Sequence, residues 1–148
     1  MIYLSNTKNK KIIMPEVIQE LSKPFIDNRG TIQNLLNEHY GSCVVIKSVK
    51  GCQRANHYHK EDYHYCYLIS GKIIYMERPV NSNEKPTEYV IEPGTMFFTG
   101  PMLEHSMYFE EDSIFLTFGG GTRKHDDYEN DLVRIPSLYD EIYDNESN

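Results

Sequence analysis

Residues Arg54 to Tyr65 read RANHYHKEDYHY and hold three of the six histidines in the chain. His57 and His59 are two apart, and His64 follows five later. On an extended strand, residues two apart project from the same face. His57 and His59 therefore stand side by side. Two imidazoles so placed suit a shared metal ion or a proton-transfer site, since an imidazole titrates near pH ~6.5. A neighbouring strand can add His64. Antiparallel pairing can bring a fourth group from far along the chain, and His105, just after the Gly100-Pro101 turn, is the best placed. His57, His59, His64 and His105 form the candidate metal set. His39 and His125 fall in expected loops and are read as solvent-facing.

The segments around these histidines must position them. From Ser42 onward the chain reads as successive short strands. CVVIKSV (43–49) is β-branched and compact. YHYCYLIS (63–70) alternates, with His64, Cys66 and Leu68 on one face and Tyr63, Tyr65, Tyr67 and Ile69 on the other. Ser70-Gly71 is a turn signal, and KIIYMER (72–78) returns as a hairpin partner. TEYVI (87–91), TMFFT (95–99), HSMYF (105–109) and SIFLTF (113–118) continue the run, separated by NSNEKP, Glu92-Pro93-Gly94 and Gly100-Pro101. Strands spaced this closely point to an all-β sandwich or barrel. FGGGT (118–122) is expected as a flexible end to the last core strand. MPEVIQELS reads equally as a short helix or an edge strand.

The chain of 148 residues suffices for one domain with a core. Twelve Tyr, six Phe and no Trp favour strands and polar pockets over helical bundles. A net charge of -7 argues against non-specific nucleic-acid binding. It leaves room for an anionic small ligand held by a few arginines. Cys43, Cys52 and Cys66 are odd in number and lack CxxC spacing, which suits a reducing cytoplasm. The first twenty residues contain no signal-peptide h-region, and no stretch approaches a membrane span. A cytoplasmic protein without membrane contact is expected. The acidic tail SLYDEIYDNESN is expected to fray at its end.

Gly51, His57, His59, His64 and Gly71 stand at the spacings of the first cupin motif, G-x5-H-x-H-x(3,4)-E-x6-G, with His64 where cupins usually carry Glu. Gly94 and His105 resemble the start and the histidine of the second motif, although Gly100, Met102 and Phe109 replace its Pro, Gly and Asn. The chain thus resembles the cupin superfamily over roughly residues 42–118. That resemblance implies one domain over residues 1–148: a double-stranded β-helix barrel with N-terminal strands over 1–41 and a C-terminal extension over 119–148. The histidines would face the interior, and such a barrel has room for one ligand at its mouth. Four neutral imidazoles leave a dication its full charge and favour zinc, iron, nickel or copper over manganese. If His64 does not ligate, a three-His site with open positions results.

A second resemblance is carried by FIDNRGTI (25–32) and by Arg54-Ala55-Asn56-His57 with His59-Lys60. These are similar to the D-x-R-G and R-G-x-H segments of the dTDP-sugar branch of cupins, the 3,5-epimerases and 3,4-ketoisomerases. The segment DYENDLVRIP resembles the acidic, Tyr-containing ends of the ketoisomerases. What this implies is proton transfer beside a ketone, with His57 as base, His59 as its partner, and Arg29 and Arg54 holding the diphosphate of a nucleotide sugar. Tyr65, Tyr75 and Tyr108 are possible acids. Cupins of this kind also imply a homodimer, with KIIMPEVI (11–18) either exchanged between copies or packed on its own barrel.

Three functions remain open at this stage. One is a nucleotide-sugar isomerase or epimerase of surface polysaccharide synthesis. A second is a metal-dependent cupin of another class, such as a dioxygenase or lyase on a small molecule. The third is a non-catalytic sugar-binding cupin.

Overall fold

The structure is a computed structural model that describes residues 2–3, 12–121 and 124–144. Five short strands come first: β1 (Ile2–Tyr3), β2 (Ile12–Ile13), β3 (Ile18–Gln19), β4 (Phe25–Asp27) and β5 (Gly30–Ile32). The long strands follow: β6 (Ser42–Ser48), β7 (Gln53–His59), β8 (His64–Ser70), β9 (Ile73–Pro79), β10 (Thr87–Ile91), β11 (Met96–Thr99), β12 (Leu103–Phe109) and β13 (Ser113–Gly119). The chain ends with helix α1 (His125–Asp131), strand β14 (Leu132–Arg134) and helix α2 (Leu138–Tyr143).

Two five-stranded antiparallel sheets face each other, in the orders β10-β9-β12-β7-β14 and β3-β11-β8-β13-β6. The fold is the expected all-β double-stranded β-helix of the cupin type. Its sequence basis is the period of two. In β8, His64, Cys66 and Leu68 are buried while Tyr65 and Tyr67 lie on the other face, half-buried. The same alternation in β13 buries Ser113, Phe115 and Thr117.

One end of the barrel is filled with apolar side chains. Leu68, Ile73, Tyr75, Ile91, Phe97, Phe109 and Phe115 pack there with Cys66 and Met107. Removing side chains of this size from water contributes about 1.5–3 kcal/mol each. The other end is lined by polar groups and holds the site.

The C-terminal extension is folded onto the barrel. Strand β14 adds to the sheet beside β7, pairing Leu132 with His59 and Arg134 with His57. Helix α2 is capped by Ser137, whose Oγ accepts the Asp140 N–H at 3.1 Å. Leu138 is buried against Ile74 and Met76 on the outer face of β9. Arg78 fixes this helix through a bidentate contact with Glu141, both bonds 2.9 Å.

In the N-terminal part, MPEVIQELS supplies an edge strand rather than a helix. Ile18–Gln19 pairs with Met96 and Phe97 of the same chain. Ile12–Ile13 pairs with Ile2–Tyr3. Residues 12–13 and 18–19 thus pair within this single chain. FGGGT forms no loose end over its first two residues, since Phe118 and Gly119 complete β13.

Candidate active site

The site opens inside the polar end of the barrel as a cavity of about 380 Å³. Strand β7 brings His57 and His59 to its wall, β8 brings His64, and β12 brings His105. All four are buried. As their spacing predicts, the two β7 histidines are neighbours, with ring centroids 4.8 Å apart. His105 is the cross-strand partner of His57, also at 4.8 Å between centroids.

A local backbone irregularity sets the position of His57. Ala55 and Asn56 both have positive φ, 65° and 52°, and the β7–β12 register shifts between His105 and Ser106. This is a β-bulge, which re-aims the strand next to a site. The left-handed region favours glycine, so Ala55 carries strain that glycine would not.

The four histidines do not form one set. Ligand atoms of His57, His59 and His105 lie within 4.8 Å of one another, whereas His64 groups with His59 and Asp62. Of the expected four-His set, His57, His59 and His105 thus form one distance group, and His64 belongs to a second, overlapping one. In that second group Asp62 Oδ2 sits 3.5 Å from His64 Nε2. Gly119 lies beside that ring; a Cβ there would come within 3.0 Å of His64 Nε2.

Two of the rings have assigned orientations. His59 Nδ1 is 3.1 Å from Asp131 Oδ2, and His105 Nδ1 is 2.9 Å from the Leu103 carbonyl. Both partners only accept, so each Nδ1 carries the hydrogen and each Nε2 keeps its lone pair. Asp131 is itself held by the N–H groups of Glu61 and Asp62, at 2.9 and 3.1 Å. Burial, then the neighbouring His105, His59 and His64 rings, push the His57 imidazole down to about 2. Burial likewise lowers His105, to about 4. Both rings are neutral at pH 7.

The expected substrate arginines separate. Arg54 lines the cavity, its Nε donating to Ser48 Oγ at 2.7 Å and its Nη2 to the Lys47 carbonyl at 3.1 Å. Arg29 sits on the exposed β4–β5 hairpin, paired with Asp27, and is not among the cavity-lining residues. Of the tyrosines considered as acids, Tyr65 packs on Tyr40 and Phe98 and Tyr108 stacks on Tyr139, each away from the cavity. Tyr75 is fully buried below it, donating to Glu77 at 2.9 Å. Of the two remaining histidines, His39 is exposed as expected, and the side chain of His125 lies outside the described residues.

The C-terminal extension supplies what residue spacing missed. Tyr128, Glu129, Leu132 and Arg134 all line the cavity. The Tyr128 ring lies 5.5 Å from His59 and 6.4 Å from His64. The likeness of DYENDLVRIP to ketoisomerase ends was the available signal, but it carried no register against β7.

No family model matches the sequence, and no curated protein matches it. Solved structures do share its fold. One is a mutant of the 3,4-ketoisomerase QdtA from Thermoanaerobacterium thermosaccharolyticum in complex with TDP-4-keto-6-deoxyglucose. It is 16% identical with a TM-score of 0.65, over 89% of this chain and 95% of that one. Another is a dTDP-4-dehydrorhamnose 3,5-epimerase from Sulfolobus tokodaii, 19% identical with a TM-score of 0.66, over 85% of each chain. A third is the capsular polysaccharide assembling protein CapF from Staphylococcus aureus. It is 19% identical with a TM-score of 0.58, over 76% of this chain but only 34% of CapF.

Proposed function

We propose that this chain is a cytoplasmic isomerase or epimerase of a 4-keto-6-deoxy nucleotide sugar, serving surface polysaccharide synthesis. The observation that carries the reading is the Asp131–His59 pair set beside the neutral His57 imidazole in a cavity with arginines along its wall. Structures of the same fold named as acting on such sugars agree with it.

The chemistry is removal of a proton from carbon next to a ketone. A base must take the proton and a donor must hold the oxygen of the enolate. His57 as base is disfavoured by its low basicity. His59 suits the role better, because Asp131 holds its Nδ1 and stabilises the imidazolium that forms. Neutral His57 then serves as the hydrogen-bond donor to the carbonyl oxygen, as a neutral imidazole can when its own basicity is suppressed. Tyr128, whose ring lies 5.5 Å from that of His59, would return a proton. Arg54 holds the diphosphate, where a guanidinium fits two oxygens at once.

Arg29 enters this reading through a second copy. Phe25, Ile26 and Ile32 of its hairpin are about 60–70% exposed (59%, 68% and 68%), an unusual load of apolar surface for a free arm. A homodimer that covers the hairpin would bring Arg29 toward a partner's site.

A metal-dependent reading rests on a different observation. The three-His group has two rings whose Nδ1–H groups are held by a carboxylate and a carbonyl, which is how metal-binding imidazoles are usually oriented. The donor set fits zinc, iron, nickel or copper. Such an ion would polarise the substrate carbonyl.

Thermal unfolding with dTDP and with UDP tests the nucleotide reading. A ligand at 100 times its Kd adds about 2.7 kcal/mol of stability. A rise in Tm with either nucleotide is expected. No shift with any nucleoside diphosphate at millimolar concentration would sink the proposal.

A further inference from the structure

Arg134 occupies an unusual position. It is the cross-strand partner of His57, lines the cavity, and is 68% exposed at its side chain. Its Nη2 meets both carboxylate oxygens of Glu129, at 3.2 and 3.1 Å. Glu129 lines the same cavity. Arg54 lies three residues before His57 and also lines the cavity, with Nε and Nη2 already committed to Ser48 and Lys47. That anchoring fixes the guanidinium in place. Two arginines thus line one cavity, and one of them already holds a carboxylate of its wall.

We propose that Glu129 is a built-in competitor at an anion site formed by Arg54 and Arg134, and that an anionic ligand of the diphosphate class enters by taking Arg134 from Glu129. An exposed ion pair contributes little net stability, so its exchange for a doubly charged group is favourable. The geometry also filters ligands. A neutral sugar brings no charge to displace Glu129, whereas a diphosphate does. The inference rests on the nucleotide-sugar reading only for the identity of the anion.

Calorimetric titration of the full chain with inorganic pyrophosphate, and separately with dTDP, tests it. Glu129→Gln is expected to tighten binding roughly two- to fivefold, the range an exposed ion pair allows. Arg134→Gln is expected to weaken it about tenfold or more. In the Arg134→Gln background, Glu129→Gln should then have no effect. Unchanged or weaker binding of dTDP to Glu129→Gln overturns the competitor role and leaves the nucleotide reading standing. Pyrophosphate showing the expected pattern while dTDP fails to bind the wild type supports the competitor role and overturns the nucleotide reading. Binding of neither probe to the wild type overturns both.

Discussion

His59 and Asp131 are 72 positions apart in sequence, yet His59 Nδ1 lies 3.1 Å from Asp131 Oδ2. The contact exists because β14 lies alongside β7 and sets Leu132 opposite His59, so the last residue of α1 falls beside the ring. It gives an ordinary buried imidazole a fixed tautomer and a counter-charge.

Asp131→Asn keeps one acceptor oxygen for the Glu61 and Asp62 amides but removes the charge behind His59. Turnover of a 4-keto sugar nucleotide should fall about 10²–10⁴-fold, the usual worth of a positioned acid–base group. Circular dichroism should show an intact barrel. Wild-type turnover in this variant would remove Asp131 from the mechanism.

Ala55 stands at φ 65°, where the R-G-x-H segment that this stretch resembles has glycine. A left-handed alanine costs about 1–2 kcal/mol, partly offset by the greater chain entropy that glycine loses on folding. Ala55→Gly should therefore be between neutral and about 1 kcal/mol more stable in denaturant unfolding. Ala55→Val, branched at Cβ, should be clearly less stable. A destabilised Ala55→Gly would contradict the strain assigned to the bulge.

The lowered basicity of His57 and His105 couples stability to pH. Their ordinary value is 6.5, against about 2 and about 4 in the fold. The unfolded chain thus takes up protons before the folded one does. The stability is fully present above the unfolded value and is lost as pH falls below it, toward about 4 for His105 and about 2 for His57. The loss is at most about 1.4 kcal/mol per pH unit for each ring. Chelator-treated protein should show a Tm that falls steadily from pH 6 to pH 4, less steeply in His105→Gln. A Tm independent of pH over this window would contradict the neutral, buried rings.

A zinc titration distinguishes His64 from the other three. Zinc added to chelator-treated protein should raise Tm if the three-His group is a metal site. The rise should vanish in His57→Ala and in His105→Ala and survive in His64→Ala. Loss of the effect in His64→Ala would restore a four-His site. No rise in the wild type would leave the group to proton transfer alone.

The barrel was legible because strand alternation is a local property. His64, Cys66 and Leu68 share a face by the period of two alone, and the Gly-to-His spacings reproduce the hairpins that carry them. His105 was reachable because it follows a turn and opens a strand. The separation of His64 from the group was not legible, since it depends on side-chain distances between residues on different strands. Nor was the role of residues 128–134. Nothing local in DYENDLVR tells that β14 pairs with β7 at one register, and a shift by one residue would turn Arg134 out of the cavity. Arg29 was singled out by its motif, and the hairpin that bears it is solvent-exposed within a single copy of the chain.

The central claim is that His59, backed by Asp131, moves a proton next to a ketone. Its most direct measurement is solvent deuterium incorporation into dTDP-4-keto-6-deoxyglucose, followed by NMR. The wild type should wash deuterium into the carbon beside the keto group, while His59→Asn should abolish exchange and Asp131→Asn should slow it strongly. Exchange that persists in His59→Asn and disappears only in His57→Ala would contradict the assignment of the base. No exchange in the wild type would contradict proton transfer on this substrate altogether.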